Sequence, residues 1–338
     1  MATSLGSKLS VGRLRVTIHP VNLSSHPVVA SLTPVFLLIA LGFLAGRLNW
    51  IRESAVKDLS NLVFLLLIPA LLFRTMSAVH LESLDLRPLA AYFPAALLLL
   101  FGSIAWRGFN RSSVVIALGG VFSNMVMIGI TLVELAYGKA ALVTLLTLVS
   151  VHALILLTLG SVVLELVVAR EAREGGGRAP HVLATAWSAF KGALIHPIPL
   201  PIIAGLLFAQ TGLTMPVVVD KPLQLLGSAF GPIALVLLGV TLSRTPLGGH
   251  LKTALWITLS KNLLLPLMVG LSAWFWGITG LPLTVMVVAA ALPMGANVFL
   301  FAQRYDVAQG LTTAAMGLST VLALFTLSLV MLTMAHLN

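Results

Sequence analysis

The sequence predicts an all-α polytopic membrane protein, with ten transmembrane helices arranged as two five-helix repeats of inverted topology. Three observations carry that expectation. The 338-residue chain is 59% hydrophobic and 9% charged, with a mean hydropathy of +1.06, whereas a soluble domain has roughly 25% charged residues. Its hydropathy resolves into ten apolar runs, counted at about 20 residues per crossing. The run Leu281–Ala302 is broken at its middle by Leu292-Pro293-Met294-Gly295-Ala296-Asn297, at the depth where a membrane span tolerates a polar, helix-breaking insertion least.

The first five spans lie near Val28–Leu48, Leu59–Ala78, Pro88–Trp106, Ser113–Tyr137 and Ala141–Val168. The most polar internal stretch, Arg170 to Arg178, follows, and then Val182–Ile195, which reads as an interfacial helix. A second set runs near Pro197–Leu213, Leu223–Leu242, Thr253–Trp276, Pro282–Ala302 and Leu311–His336. This divides the chain into a tail (1–27), a first repeat (28–169), a cytoplasmic linker (170–195) and a second repeat (196–338). The halves echo each other. Ile68-Pro69-Ala70-Leu71-Leu72 in span two answers Gly231-Pro232-Ile233-Ala234-Leu235 in span seven. In the same order, Gly119-Gly120-Val121-Phe122-Ser123-Asn124 in span four answers the break in span nine. Five is odd, so the second half enters the membrane from the opposite side, an inverted repeat.

Orientation follows from Lys and Arg near the span ends. One set of loops carries twelve, from Arg47 to Arg304, and the other carries Arg74, Arg87, Lys139 and Lys221. Both termini are therefore expected outside and the linker in the cytoplasm, although Lys8, Arg13 and Arg15 in the tail pull the other way. The tail has no apolar core ahead of the first span, so it does not read as a cleavable secretion signal. The net charge of +10 is scattered singly at span ends, which argues against a nucleic-acid partner. With no Cys, disulfides, thiolate metal sites and cysteine catalysis are excluded. No Ser/His/Asp arrangement, metal-ligand spacing or phosphate-binding Gly loop stands out, so no enzyme, cofactor or metal is expected.

The breaks are the candidate site, because half-helix N-termini carry partial positive charge and transporters place such ends at their substrate. Asn124, with Ser123 beside it, and Asn297 either bind a ligand or cap backbone there, or simply bond across helices. Lys261 sits inside an apolar span, where charge is costly. It reads as an anion counter-charge, as a built-in substitute for a coupling cation, or as a side chain snorkelling towards the cytoplasm some nine residues from Lys252. His152, also mid-span, reads as a proton relay or as a satisfied structural histidine. Glu134, Glu165 and Arg74 lie near span ends and read as interfacial. No acidic residue adjoins Asn124 or Asn297, so the donors suit a carboxylate better than a metal cation.

Several runs carry a family resemblance. Thr33 to Leu44, Leu59 to Phe64 and Ile68 to Phe73, then Leu225 to Ala229, Gly231 to Gly239, Lys261 to Leu267, Ala291 to Asn297 and Ala302 to Tyr305 together resemble the auxin efflux carrier family. That family includes bacterial malonate and other organic-acid permeases and is related to plant PIN auxin exporters. The resemblance implies that helices four and nine are discontinuous and cross near mid-membrane. It implies a scaffold of spans one, two, six and seven, through which the protein forms a homodimer, and a mobile transport domain of the other six. It also implies the bacterial inner membrane. The chain departs from the family pattern in span four, where Val126 stands for a Gly and Thr131 for a Pro. That span is therefore expected to be kinked by Gly119, Gly120 and Gly129, with the Thr131 hydroxyl bonding a preceding carbonyl.

The function expected is a secondary active or facilitative carrier for a small carboxylate such as malonate, malate or an auxin-like acid, working by alternating access in the bilayer, with a proton or sodium as the candidate coupling ion if it is coupled at all. Asn124, Asn297 and Lys261 would hold the carboxylate, while Pro293, Gly295, Gly129 and Thr131 would shape the breaks. The alternatives are a sodium-coupled organic-anion symporter resembling bile-acid transporters and a membrane sensor that transports nothing.

Overall fold

The computed structural model describes residues 27–79, 84–174, 198–244 and 251–337, with Ala184, Trp187 and Lys191 between them. Those three are helical, exposed and spaced by three and four residues, as one face of a helix would be. The tail before residue 27, Arg178 and the rest of the interfacial helix expected over Val182–Ile195 lie outside the described residues. Among the described residues every regular element is helical, and seven helices are long and apolar enough to cross a membrane. The protein is an integral, multi-pass membrane protein.

Helix α1 (Pro27–Arg47) and α2 (Glu53–Met76) open the chain. Hydropathy placed the start of the second span at Leu59; the helix begins six residues earlier because Glu53–Leu62 is polar and buries none of its side chains. The α-helical ladder widens to a π segment at Val63–Leu67. Pro69 follows, and a proline removes a donor and crowds the carbonyl four residues back. Next come α3 (Arg87–Arg107) and α4 (Arg111–Val121). Ahead of α3 the Arg87 guanidinium beside Asp85 holds that carboxyl below its usual range. Asn110 caps α4 by accepting from the Ser113 N–H at 2.9 Å. Helices α5 (125–137) and α6 (139–174) are separated by Gly138, whose φ of 77° suits glycine alone.

Beyond the linker run α7 (Pro199–Gln210), α8 (Val217–Ser243) and α9 (Leu251–Phe275). A second proline-linked π segment, Ser260–Leu264, precedes Pro266 within α9. The chain ends with α10 (Gly280–Ala291), α11 (Asn297–Arg304) and α12 (Gln309–Leu337). The fourth and ninth spans read from hydropathy are thus each two helices: α4 with α5, and α10 with α11.

Two packing groups result. In one, α1 lies along α8 so closely that a Cβ on Gly42 would collide with the Val236 carbonyl, and one on Gly239 with the Ile39 carbonyl. Small residues allow this approach where lipid supplies no hydrophobic drive between helices. The second half of α2 packs on α7 and α8, and Arg74 clasps Asp220 in the first turn of α8 through Nε at 2.6 Å and Nη2 at 3.1 Å. The second group gathers α3, α4, α6, α9, α10 and α12. Facing outward are apolar side chains such as Leu98 and Phe325, with Trp106 and Trp274 near helix ends, 85% and 81% exposed, a distribution that suits acyl chains and their interfaces.

Candidate functional site: two broken helices around one cavity

Helix α10 stops because of Pro293. The residue before a proline is driven to extended backbone, and Leu292 has φ −58° and ψ 149°. Helix α4 stops with no proline. Its chain leaves the helix at Phe122 (φ −83°, ψ 101°) and pairs with the other break in an antiparallel bridge, Ser123 opposite Met294. The Asn124 N–H donates to the Pro293 carbonyl and the Gly295 N–H to the Phe122 carbonyl, both at 2.8 Å. Each break thereby satisfies polar backbone that lipid could not. This corrects the expectation of a glycine kink: span four is fully broken, held open by its partner. A Cβ on Gly295 would stand 3.0 Å from the Phe122 ring and 3.3 Å from the Ser123 carbonyl, so the two breaks are tightly packed at that glycine.

Both half-helix N-termini open into one cavity of about 300 Å³. Asn124, Met125, Val126 and Met127 line one side and Gly295, Ala296 and Asn297 the other, with Phe64, Val149, His152, Ile198 and Leu300 closing it. The Asn124 side chain accepts from the Met127 N–H at 3.2 Å, an N-cap. Among the described residues, the N–H groups of Met125, Val126, Ala296 and Asn297 find no acceptor, and the Asn297 amide makes no hydrogen bond. Two positive helix ends with free donors have the chemistry that suits an anion.

The structure brings Ser123, Asn124, Gly295 and Asn297 to the cavity wall, with Pro293 directly behind them. Ser123 lies 3.3 Å from the Tyr92 hydroxyl, and its N–H donates to His152 Nε2 at 3.5 Å. Gly129 and Thr131 lie farther along α5. Gly129 faces Leu292 and Thr131 faces Gly231 of α8. The Thr131 hydroxyl has no hydrogen-bond partner among the described residues, so it does not bend the helix as expected; α5 instead begins as a π segment, Met125–Ile130.

Lys261 neither snorkels nor lines the cavity. It is fully buried, and its Nζ donates to the carbonyls of Ala290 and Leu292 at 2.6 and 2.7 Å, at the C-terminal, negative end of α10. Sequence reading missed Tyr92, Phe64, Ile198 and Ser319, whose hydroxyl accepts from the Met294 N–H at 3.1 Å. No local signal marks them, since their role comes from what distant helices present. No group of three or more His, Asp or Glu side chains fit for a metal occurs among the described residues.

Comparison with known proteins gives a family and a relative. A family model described as membrane transport protein matches residues 27–331. A curated relative from Rhizobium meliloti (strain 1021), named "Putative malonate transporter", is 28% identical over 304 residues, covering 87% of this chain and 92% of the relative.

Proposed function

We propose, from the premise that the chain belongs to the membrane transport protein family, the auxin efflux carriers, that it carries a small dicarboxylate of malonate size across the membrane by alternating access. The chain is a transporter and not an enzyme. The observation behind the substrate class is the convergence of two half-helix N-termini and the unpartnered Asn297 amide on one small cavity. Backbone N–H groups and neutral amides bind carboxylates without a fixed cation, and the cavity is at the small end of ligand pockets. The relative's name points to the same substrate.

In this reading the helices form ten crossings in two inverted five-span repeats over 28–169 and 196–338, with α4–α5 and α10–α11 as equivalent broken spans. The group of α1, α2, α7 and α8 is the scaffold and the site of homodimerisation. The other helices carry the cavity past it. Basic loops put the linker in the cytoplasm and both termini outside, in the bacterial inner membrane. Lys261 on the carbonyl end of α10 supports the substitute-cation reading, since it takes oxygens that a sodium ion would need. We therefore do not favour sodium coupling.

The test is uptake of radiolabelled malonate by proteoliposomes containing the purified protein, alongside a thermal-shift screen of mono- and dicarboxylates. Saturable uptake and a raised melting temperature are expected. Uptake equal to that of empty vesicles, with no carboxylate raising the melting temperature, would refute the assignment.

A further inference from the structure

His152 is buried beside the crossing, yet it also lines the cavity. Its ring stands edge-on to Phe122 and Tyr92, at centroid distances of 4.7 and 6.0 Å. One face of its chemistry is backbone: the Ser123 N–H donates to Nε2 at 3.5 Å, and Val121, the last residue of α4, lies beside the ring. His152 thus sits beside the C-terminal end of α4, while Lys261 donates to that of α10. Histidine is the side chain whose ordinary titration falls in the physiological range.

The ionisable groups facing His152 are few. Tyr92 comes from α3, edge-on to the ring, and Lys261 comes from α9, seated on the carbonyls of Ala290 and Leu292. Helices α7, α10 and the π segment of α5 contain no ionisable side chain at all. The only charged residue of α1 is Arg47 and of α4 is Arg111, both at helix ends, and the second half of α2 has only Arg74, at its outer end. Among the described residues no carboxylate faces the ring to balance a positive charge there. A buried charge without a partner is costly. Only an anion arriving in the cavity can supply that partner.

We propose that His152 is the proton site of this carrier, charged when a carboxylate occupies the cavity and neutral when the cavity is empty. This rests on the carrier reading above and adds the coupling ion. Water in the cavity delivers the proton to Nε2, which gives up its 3.5 Å bond from the Ser123 N–H, and the ring becomes imidazolium next to the bound anion; on the other side proton and anion both leave, and neutral Nε2 accepts from the Ser123 N–H again. Proton and anion stabilise each other by the same factor, as linkage requires, and couplings of this kind span roughly 5- to 150-fold in affinity.

The test uses proteoliposomes with a pH-sensitive dye in the lumen. In wild type, external malonate should acidify the lumen, an inward proton gradient should speed uptake, and replacing sodium by choline should change nothing. Malonate affinity from thermal shifts should fall roughly 5- to 150-fold as the pH rises across the histidine range. In His152→Gln, with His152→Asn alongside in case glutamine does not fit, malonate affinity should sit at the weaker, high-pH wild-type value at every pH. The dye signal and the extra pH dependence should vanish, leaving only malonate's own ionisation. Malonate counterflow in wild type without proton movement overturns the inference and leaves the carrier standing. Equal proton movement per malonate in the variants places the proton on the substrate or another group, and also overturns it. Absence of wild-type counterflow overturns both readings.

Discussion

The two asparagines at the crossing look equivalent in sequence but differ in structure, and that difference can be measured. Asn124 spends its side-chain oxygen on the Met127 N–H at 3.2 Å. Removing an N-cap of this kind costs about 0.5–2 kcal/mol of stability. The Asn297 amide makes no hydrogen bond among the described residues and is only half-buried, so Asn297→Ala leaves nothing unpaired in the empty protein. Its whole effect should fall on the ligand. Hydrogen bonds to charged groups are worth about 1.5–3 kcal/mol, which at about 1.4 kcal/mol per tenfold is a loss of roughly 12- to 140-fold in malonate affinity. Asn297→Ala should therefore melt within a degree or two of wild type without ligand, yet show little shift with malonate and largely lose uptake. Asn124→Ala should melt lower even when empty. The assay is thermal denaturation of each detergent-purified variant across a malonate titration. Wild-type malonate affinity in Asn297→Ala would refute the assignment, and a large loss of ligand-free stability would show that the side chain has a structural partner.

Three further outcomes are expected. Gly239→Val should lower thermal stability and expression, because its side chain would be driven into the backbone of α1 at Ile39 and Phe43; overpacking of this kind typically costs about 1–3 kcal/mol or more. Lys261→Met should lower the melting temperature by stranding the Ala290 and Leu292 carbonyls, at about 1–3 kcal/mol per acceptor less the relieved burial of an ammonium, while malonate affinity in the titration stays within about tenfold of wild type. In the Cys-free chain, a single Cys at exposed Thr214 should react with an impermeant maleimide in intact cells, and one at exposed Phe109 only after permeabilisation; the reverse pattern would invert the proposed topology.

Much of the architecture is legible in the sequence because a bilayer imposes one length and one polarity on every span. The ninth-span break was equally legible, since Pro293 acts on its immediate neighbours and its effect is local. The fourth-span break was not. No residue between Gly119 and Thr131 forces it; Phe122 and Asn124 leave the helix because Gly295 and Pro293, some 170 residues away, supply their hydrogen-bond partners. Lys261 shows the same limit. Its type and its burial in an apolar run marked it as special, but whether it faced lipid, cavity or a helix end depended on where α10 stops. Thr131 misled for the opposite reason, since a local rule about hydroxyls was applied where tertiary contact with Gly231 holds the side chain instead.

The crossing has a charge logic that neither break has alone. Two α-helices interrupted at mid-membrane present two positive and two negative ends. Here both positive ends face one cavity, Lys261 donates to the carbonyl end of α10, and His152 lies just past the end of α4, accepting from the Ser123 N–H. If both bases were permanently charged, the empty site would carry an excess of positive charge in a dry interior, and release of an anion would be slow. If neither were charged, capture would rest on the helix ends alone. In the proposed carrier, pairing the seated Lys261 with one titratable ring would let the site hold extra charge only while the anion is present, so that the geometry proposed to attract a carboxylate would also permit its departure.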